Sequence, residues 1–305
     1  MSRILVTGAS GLLGLNIGLQ FYELHEIIGV ANGHPLKGVP FELRTVDLAQ
    51  KGAARRLIAD VRPDLVLHCA AMANIDQAET QPELAQRINA ELPGEIAGEM
   101  SKTGKMMVHI STDSVFDGQR GNYTETDEPN PINVYARTKL AGEQAVLQAN
   151  PDAIVARVNF YGWSLSGKRS LAEIFFNNLS AGKRMYGFSD VYFCPLQVNI
   201  LGDILLEMAE RRLKGLFHVV SSEALTKYDF GVRVAHLFGL DESLIQPVSW
   251  QEAGLQAARS PKLTLNSDKL AGALGRVLPA QEPGLRRFLS LYREGVQAQI
   301  RNYAV

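Results

Sequence analysis

The stretch that decides the fold is VTGASGLLG, residues 6–14. Gly8, Gly11 and Gly14 follow the short apolar run RILVT and open a segment that reads as a helix. Glycines at this spacing let the chain turn tightly, let its backbone approach a pyrophosphate, and let helix and strand pack closely. The helix that follows offers free N–H groups and a positive dipole to phosphates. The stretch therefore predicts a strand–loop–helix unit that binds a dinucleotide.

The composition of the whole chain is that of an ordinary globular protein. Of its 305 residues 46% are hydrophobic and 21% are charged, and the formal net charge is −1. A charge this close to zero, without a basic block, argues against nucleic acid as a partner. We find no signal peptide and no run of about 18 apolar residues, and we expect no membrane contact and a cytoplasmic location. Two dispersed cysteines, Cys69 and Cys194, fit a reducing compartment.

Short apolar runs alternate with longer amphipathic segments. The predicted strands are RILVTG (3–8), HEIIGVA (25–31), FELRTVDL (41–48), PDLVLHCAA (63–71), KMMVHIST (105–112), AIVARV (153–158) and GLFHVV (215–220). Repeated strand–helix–strand order predicts an α/β fold, a Rossmann-type doubly wound parallel sheet. We expect residues 1–158, with part of 191–220, to form an NADP(H)-binding domain. Residues 159–305 would form mainly a smaller C-terminal α/β substrate-binding region.

Several helices are predicted from apolar periodicity. Between the fourth and fifth strands, apolar side chains recur every four residues at Leu84, Ile88, Leu92, Ile96 and Met100, and we expect this stripe to face the sheet. Later helical segments cover residues 171–182, 200–213, 226–239, 266–275 and 284–300. The long polar connection at 117–133 is typical of a functional loop.

The end of the second strand bears on which dinucleotide binds. An NAD site usually places Asp or Glu there to hold the ribose 2′-hydroxyl. This strand instead ends with Asn32, no carboxylate lies between Asn32 and Glu42, and His34 or Lys37 could attract a 2′-phosphate. We therefore expect NADP(H) to be preferred, with NAD(H) possible.

Other cofactor contacts are expected from the glycine loop and from later strand ends. Asp47 and Leu48 either border the adenine or form an ordinary turn. The small residues of HCAAM, residues 68–72, permit close approach of the cofactor, and Cys69 reads as a buried filler rather than a reactive thiol. The full predicted set is Gly8, Ser10, Gly11, Leu12, Leu13, Gly14, Asp47, Leu48, Cys69, Ala70, Ala71, Tyr135 and Lys139.

Tyr135 and Lys139 lie four residues apart in the predicted helix NVYARTKLAGEQAVL. This spacing puts both side chains on one helix face. An ammonium beside a phenol stabilises the phenolate and lowers the tyrosine pKa from about 10. Tyr135 could then give a proton to a carbonyl oxygen as hydride reaches its carbon, while Lys139 holds the nicotinamide ribose. A hydroxyl at the end of the fifth strand, Ser111 or Thr112, would be a third donor.

Two other interpretations of STDSVFDG, residues 111–118, are disfavoured. A metal site at Asp113 and Asp117 would need a third ligand nearby, and the six histidines are dispersed, so we predict no metal. A nucleophilic serine would need the sharp strand–turn–helix motif of hydrolases, which is absent from the sequence.

Taken together, the glycine loop, the strand-end hydroxyl and the Tyr–Lys pair resemble the extended short-chain dehydrogenase/reductases. Four stretches are more narrowly similar to the dTDP-4-dehydrorhamnose reductases: RPDLVLHCAAMANIDQAE (62–79), STDSVFDG (111–118), YTETDEPNPINVYARTKLAGE (123–143) and RSPKLTLNSDKLAGALG (259–275). The resemblance implies NAD(P)H-dependent reduction of the 4-keto group of a nucleotide-activated deoxysugar, as in dTDP-rhamnose biosynthesis. It assigns the catalytic roles to Thr112, Tyr135 and Lys139, a nucleotide sugar as substrate, and a possible homodimer.

The chain departs from that family pattern at two positions. Ser114 stands where the family usually has an aromatic residue, and Phe160 where the reductases place a tryptophan. With Asp113, these residues are expected to line the sugar site, so the departures bear on the sugar and not on the hydride chemistry. Ser114 also replaces the acid that a dehydratase needs.

Two alternatives to a reductase stay open. A sugar-nucleotide epimerase needs the same three catalytic residues. A non-catalytic regulatory subunit that binds the cofactor, like the beta subunit of methionine adenosyltransferase, resembles the same sequence pattern.

Overall fold

The computed structural model describes residues 1–33, 35–252 and 260–305. The predicted contribution of His34 lies outside the described residues. The described strands are β1 (Arg3–Thr7), β2 (Glu26–Ala31), β3 (Glu42–Thr45), β4 (Leu65–His68), β5 (Met106–Thr112), β6 (Ile154–Val158), β7 (Phe160–Tyr161), β8 (Met185–Phe188), β9 (Tyr192–Phe193), β10 (Leu196–Gln197), β11 (Gly215–Val219), β12 (Leu225–Thr226), β13 (Ile245–Val248) and β14 (Lys262–Leu263).

The described α-helices alternate with these strands in the first half of the chain and predominate later. They are α1 (Leu12–Phe21), α2 (Ala53–Val61), α3 (Ile75–Thr80), α4 (Pro82–Gln86), α5 (Leu92–Thr103), α6 (Val134–Ala149), α7 (Leu171–Ser180), α8 (Val198–Glu210), α9 (Lys227–Phe238), α10 (Asp268–Leu274), α11 (Gln281–Arg293) and α12 (Val296–Asn302). None of the helices in the described part of the chain is long and apolar enough to cross a membrane.

Seven parallel strands form the central sheet in the order β11-β6-β5-β4-β1-β2-β3. The seven predicted strands are those of this sheet. Its strand order reverses direction between β1 and β4, and in open α/β sheets ligands bind at the carboxyl ends of the strands beside such a point. The α/β doubly wound prediction is confirmed.

Each face of the sheet carries its own apolar core. On one face, α1, α8 and α10 pack against side chains such as Ile4, Leu67 and Val108. On the other face, α2, α5 and α6 cover the alternate side chains, among them Leu5 and Val66. Strands buried on both faces read as nearly continuous apolar runs, which is why the sequence located them well.

The helix between β4 and β5 contains a π-helical turn that the sequence pattern did not reveal. Residues Arg87–Glu91 form this turn between α4 and α5. The extra residue shifts the register of the apolar stripe, so the expectation that it faces the sheet throughout is wrong at one end. Ile96 packs in the sheet core, whereas Leu84 and Ile88 line a pocket above the sheet. Arg87 within the turn donates to the Ala49 carbonyl at 2.9 Å.

The C-terminal part of the chain builds small sheets and a separate aromatic core. β9 pairs with β12 and β14, and β8 pairs with β13. Trp163 and Phe288 stack at the centre of this core with ring centroids 3.9 Å apart. The predicted final helix is divided into α11 and α12 because Gly295, with a φ of 78°, interrupts it.

Candidate active site

A long pocket runs along the carboxyl ends of β1 to β4, with a volume of about 450 Å³. Eight predicted cofactor residues line it: Gly8, Ser10, Gly11, Asp47, Leu48, Cys69, Ala70 and Ala71. Leu12, Leu13, Gly14, Tyr135 and Lys139 are not among its described lining residues, and Leu13 packs into the sheet core instead. Arg169 lines the pocket from the C-terminal half of the chain, and the sequence reasoning missed it.

The glycine loop lies so close to its neighbours that side chains are excluded. Gly8 has a φ of 68°, and a Cβ there would lie 2.8 Å from the Ala70 nitrogen. A Cβ on Gly14 would lie 2.4 Å from the Gly8 carbonyl oxygen. Both positions therefore need glycine, one for its backbone conformation and the other for contact between helix and loop.

At the end of this pocket formed by β2 and β3, Asn32 and Asp47 meet. The Asn32 amide donates to the Asp47 carboxylate at 3.2 Å, and the Ala49 N–H donates to the same oxygen at 3.0 Å. The Asp47 carboxylate, just after β3, thus lies beside the neutral Asn32, just after β2. Of the two residues proposed to attract a 2′-phosphate, the structure describes only Lys37. Lys37 is not among the described residues that line the pocket.

The two hydroxyls at the end of β5 have different surroundings because side chains alternate along a strand. Ser111 donates to the Glu143 carboxylate at 2.5 Å inside the buried face. Thr112 accepts from the Ser114 N–H at 3.1 Å, and its hydroxyl is hydrogen-bonded to Tyr135. The structure thus brings Thr112, not Ser111, to the tyrosine, a choice that the residues alone left open.

Tyr135 lies in the first turn of α6, which is capped by the Asn133 side chain accepting from the Ala136 N–H at 2.8 Å. Burial raises the pKa of Tyr135 to about 12; the Asp113 carboxylate also raises it, whereas the hydrogen bond with Thr112 lowers it. The expected lowering of this pKa by Lys139 is therefore not found. A tyrosine in this state keeps its proton at neutral pH and can act as an acid.

Lys139, one turn further along α6, is buried against β5. Its Nζ donates to the Ile110 carbonyl at 2.6 Å and lies 3.4 Å from His109 Nε2. Burial lowers the pKa of Lys139 to about 8, while Glu143 and Cys69 raise it. Because the ammonium is directed to the strand, it does not stabilise a Tyr135 phenolate.

A second pocket, of about 280 Å³, adjoins the tyrosine and is lined from both halves of the chain. Asp113 and Ser114 line it as predicted. Asp113 accepts from the Asn159 amide at 2.5 Å and from the Thr112 hydroxyl at 3.1 Å. Burial raises the pKa of Asp113, against the lowering effect of these hydrogen bonds. Opposite stand residues that the sequence reasoning missed: Phe188, Tyr192, Lys227 and Trp250.

Phe160 is not brought to this pocket. It lies in β7 and packs partly buried against the sheet core, while the preceding residue, Asn159, lines the pocket. The signal was available, because Asn159 directly follows β6 and so stands at the carboxyl end of a central strand. The aromatic side of the pocket had no such signal, since its residues come from short strands and loops.

Asp117 and its loop serve a structural purpose. Its carboxylate accepts from the Tyr123 hydroxyl at 2.7 Å and from the Asn130 amide at 2.9 Å, which ties together the long polar connection. Within the described ranges, no group of three or more His, Cys, Asp or Glu side chains could hold a metal ion.

Comparisons with known proteins show the family. The family described as RmlD substrate binding domain matches residues 1–294. The probable low-salt glycan biosynthesis reductase of Haloferax volcanii is 34% identical over 286 residues, which cover 92% of this chain and 95% of that protein. Methionine adenosyltransferase 2 subunit beta of Rattus norvegicus is 32% identical over 270 residues, covering 85% of this chain and 78% of the subunit.

Among solved structures, dTDP-4-dehydrorhamnose reductase from Bacillus anthracis, in complex with NADP, superimposes with a TM-score of 0.84. It is 26% identical and covers 94% of this chain and 98% of its own. An orthologue of that reductase from Clostridium acetobutylicum gives a TM-score of 0.81 at 28% identity, covering 95% of this chain and 99% of its own.

Proposed function

Because the chain belongs to the RmlD substrate-binding domain family, we propose that it is a nicotinamide-dependent reductase of the 4-keto group of a nucleotide-activated deoxysugar, of the dTDP-4-dehydrorhamnose reductase type. One observation carries the proposal. Thr112 and Tyr135 adjoin the second pocket through Asp113, and Lys139 adjoins the first through the Cys69 thiol. Tyr135 and Thr112 thus lie beside a residue of the second pocket, and Lys139 lies beside a residue of the first.

The first pocket suits a nicotinamide dinucleotide. Small residues at Gly8, Gly11, Ala70 and Ala71 form part of its lining, and α1 begins directly after Gly11, so that its N-terminus lies at the pocket. When bound, such a cofactor supplies the hydride. We propose that NADP(H) is preferred over NAD(H), because Asn32 replaces the usual acid at the end of β2. The nearby Asp47 carboxylate weighs against that preference, which makes a direct comparison of the two cofactors necessary.

The residues of this chain would supply the proton and hold the substrate and the cofactor. Tyr135 donates its proton to the substrate carbonyl oxygen, and the Thr112 hydroxyl shares in binding that oxygen. Lys139 holds the cofactor ribose with a positive charge. Residues 1–158, with part of 191–220, would bind the cofactor, and residues 159–305 would supply most of the substrate contacts.

A second candidate function is that of a regulatory subunit. It is favoured by the 32% identity to the rat methionine adenosyltransferase subunit over most of both chains. In that case the cofactor would stabilise a binding surface without turnover. The arrangement of Thr112, Tyr135 and a buried Lys139 favours the enzyme, because a scaffold has no need of a buried lysine at this place.

The test is oxidation of NADPH and of NADH, followed by absorbance, with freshly made dTDP-4-dehydrorhamnose. Rapid oxidation of either cofactor supports the reductase, and the ratio of the two rates tests the preference. Tight cofactor binding with no oxidation, together with co-purification of a methionine adenosyltransferase, would favour the regulatory subunit instead.

A further inference from the structure

A row of polar side chains crosses the face of the central sheet that α6 covers. We call it the polar row: Thr7, His68, His109, Ser111, Arg157 and His218, contributed by β1, β4, β5, β6 and β11. Thr7 is in register with His68, and His68 with His109. All six residues are buried. Such a row is unexpected, because parallel strands covered on both faces are normally apolar.

Two residues of α6 contact the polar row at separate points. Glu143 accepts from Ser111 at 2.5 Å and pairs with Arg157 at 2.7 Å. Lys139, one helical turn earlier, lies 3.4 Å from His109 Nε2 and donates to the Ile110 carbonyl. The carboxylate therefore sits over the arginine part of the row and the ammonium over the histidine part.

The contact with Lys139 indicates which nitrogen of the His109 ring carries the proton. An ammonium has donors only, so the ring nitrogen that faces it must be an acceptor, and the proton of a neutral imidazole must be on Nδ1. His68 stacks on His109 with centroids 5.3 Å apart and an interplanar angle of 22°. Burial, the Lys139 charge and the His68 ring all lower the pKa of His109 well below its usual range. The ring is therefore neutral at any working pH.

We propose that His109 is a positioning residue for Lys139: its Nε2 and the Ile110 carbonyl each take one of the three ammonium hydrogens, which leaves the third for the active site. The role of Lys139 in this proposal rests on the proposed function. What the proposal adds is a role for His109, which has none in the proposed function. His109 touches neither pocket lining; it acts through the lysine alone.

The other groups that face Lys139 do not replace this acceptor. On its own helix stand Tyr135 and Glu143, and the Glu143 oxygens are taken by Ser111 and Arg157. From β4 and the segment after it come His68, which bonds to Thr7 at 2.7 Å, and the Cys69 thiol, whose pKa burial raises to about 12. Without His109, one buried N–H of the ammonium loses its acceptor, and the charged form is disfavoured.

The first experiment uses the unmodified protein. Long-range proton–nitrogen NMR of the histidine rings reports which nitrogen carries the proton. We expect His109 to be neutral with the proton on Nδ1 from pH 6 to pH 7, below the Lys139 pKa of about 8. A proton on Nε2 would overturn the proposal, because that nitrogen could not then accept from Lys139.

The second experiment follows Lys139 itself in protein labelled with carbon-13 at the lysine ε position, its resonance identified by its loss in Lys139→Arg. We expect His109→Leu to lower the titration midpoint of Lys139 by about one pH unit, a tenfold change in its protonation constant, and to move the fall of kcat with rising pH down by the same amount. His109→Gln, which keeps an acceptor, should restore both.

The matched control is His218→Leu. His218 is equally buried in the polar row, and its Nε2 also lies 3.4 Å from a cation, but that cation is Arg157. This variant should cost similar stability and leave the Lys139 midpoint unchanged. An equal shift in His218→Leu, or none in His109→Leu, would overturn the proposal. Since the midpoint is measured without turnover, a failure of the proposed reductase function is a separate result.

Discussion

The buried Glu143–Arg157 pair offers the sharpest test of how this site is held together. Both side chains are at most 4% exposed, and Arg157 makes three contacts of 2.7–3.2 Å with the carboxylate. Glu143→Gln keeps the shape but removes one charge, which leaves a buried guanidinium without compensation. Breaking such a pair from one side costs about 3–5 kcal/mol of unfolding free energy. That is a large part of the 5–15 kcal/mol or so that typical domains possess.

Urea unfolding at pH 7, followed by circular dichroism, measures this loss. Glu282→Gln is the matched control: Glu282 pairs with Arg286 on the surface of α11, where both side chains are more than half exposed. Exposed pairs of this kind contribute at most about 0.5 kcal/mol. Replacing both buried partners, in Glu143→Leu with Arg157→Met, should recover most of the lost stability, because no unpaired charge then remains. If Glu143→Gln cost no more than Glu282→Gln, the pair would not be buried as described and the reasoning would be refuted.

Three further predictions concern activity and cofactor binding. Tyr135→Phe should lower kcat at least about 100-fold, the usual contribution of a general acid, with NADPH affinity measured by fluorescence nearly unchanged; a fully active variant would remove Tyr135 as the acid. The pH–rate profile should fall as pH rises through about 8, because the lowered pKa of Lys139 places loss of its charge there; an activity that is constant to pH 9.5 would contradict this. Gly14→Ala should weaken NADPH binding at least about tenfold, since its Cβ would meet the Gly8 carbonyl at 2.4 Å and shift the loop; calorimetry showing equal affinity would contradict the close approach.

Much of the fold and part of the site could be predicted from the sequence. Six of the seven central strands are apolar runs, and the glycine loop combines a positive φ with close contact, so both leave direct marks in the sequence. The choice between Ser111 and Thr112 was also within reach, because successive side chains of a strand point to opposite faces of the sheet. What could not be predicted depends on distant parts of the chain: the acceptors of Lys139 on β5, and the aromatic wall around Trp250, assembled from short segments without periodicity.

The expectation about the Tyr135 pKa failed for a physical reason. Spacing places Tyr135 and Lys139 on one helix face, but it does not say which acceptors compete for the ammonium. The acceptors that contact Lys139 are the Ile110 carbonyl and His109, and the sequence alone does not indicate these contacts. Burial therefore outweighs any effect of the lysine on the phenol.

The π-helical turn at Arg87–Glu91 limits how this part of the chain can change in evolution. An α-helix advances about 100° per residue. The single added residue therefore sets the angle between the pocket-facing side of α4 and the sheet-facing side of α5. Deleting any residue in that turn would rotate Leu84 and Ile88 away from the pocket while Ile96 stayed in the core. An insertion or deletion in this turn would therefore alter the pocket wall. The length of this segment is thus itself a functional property.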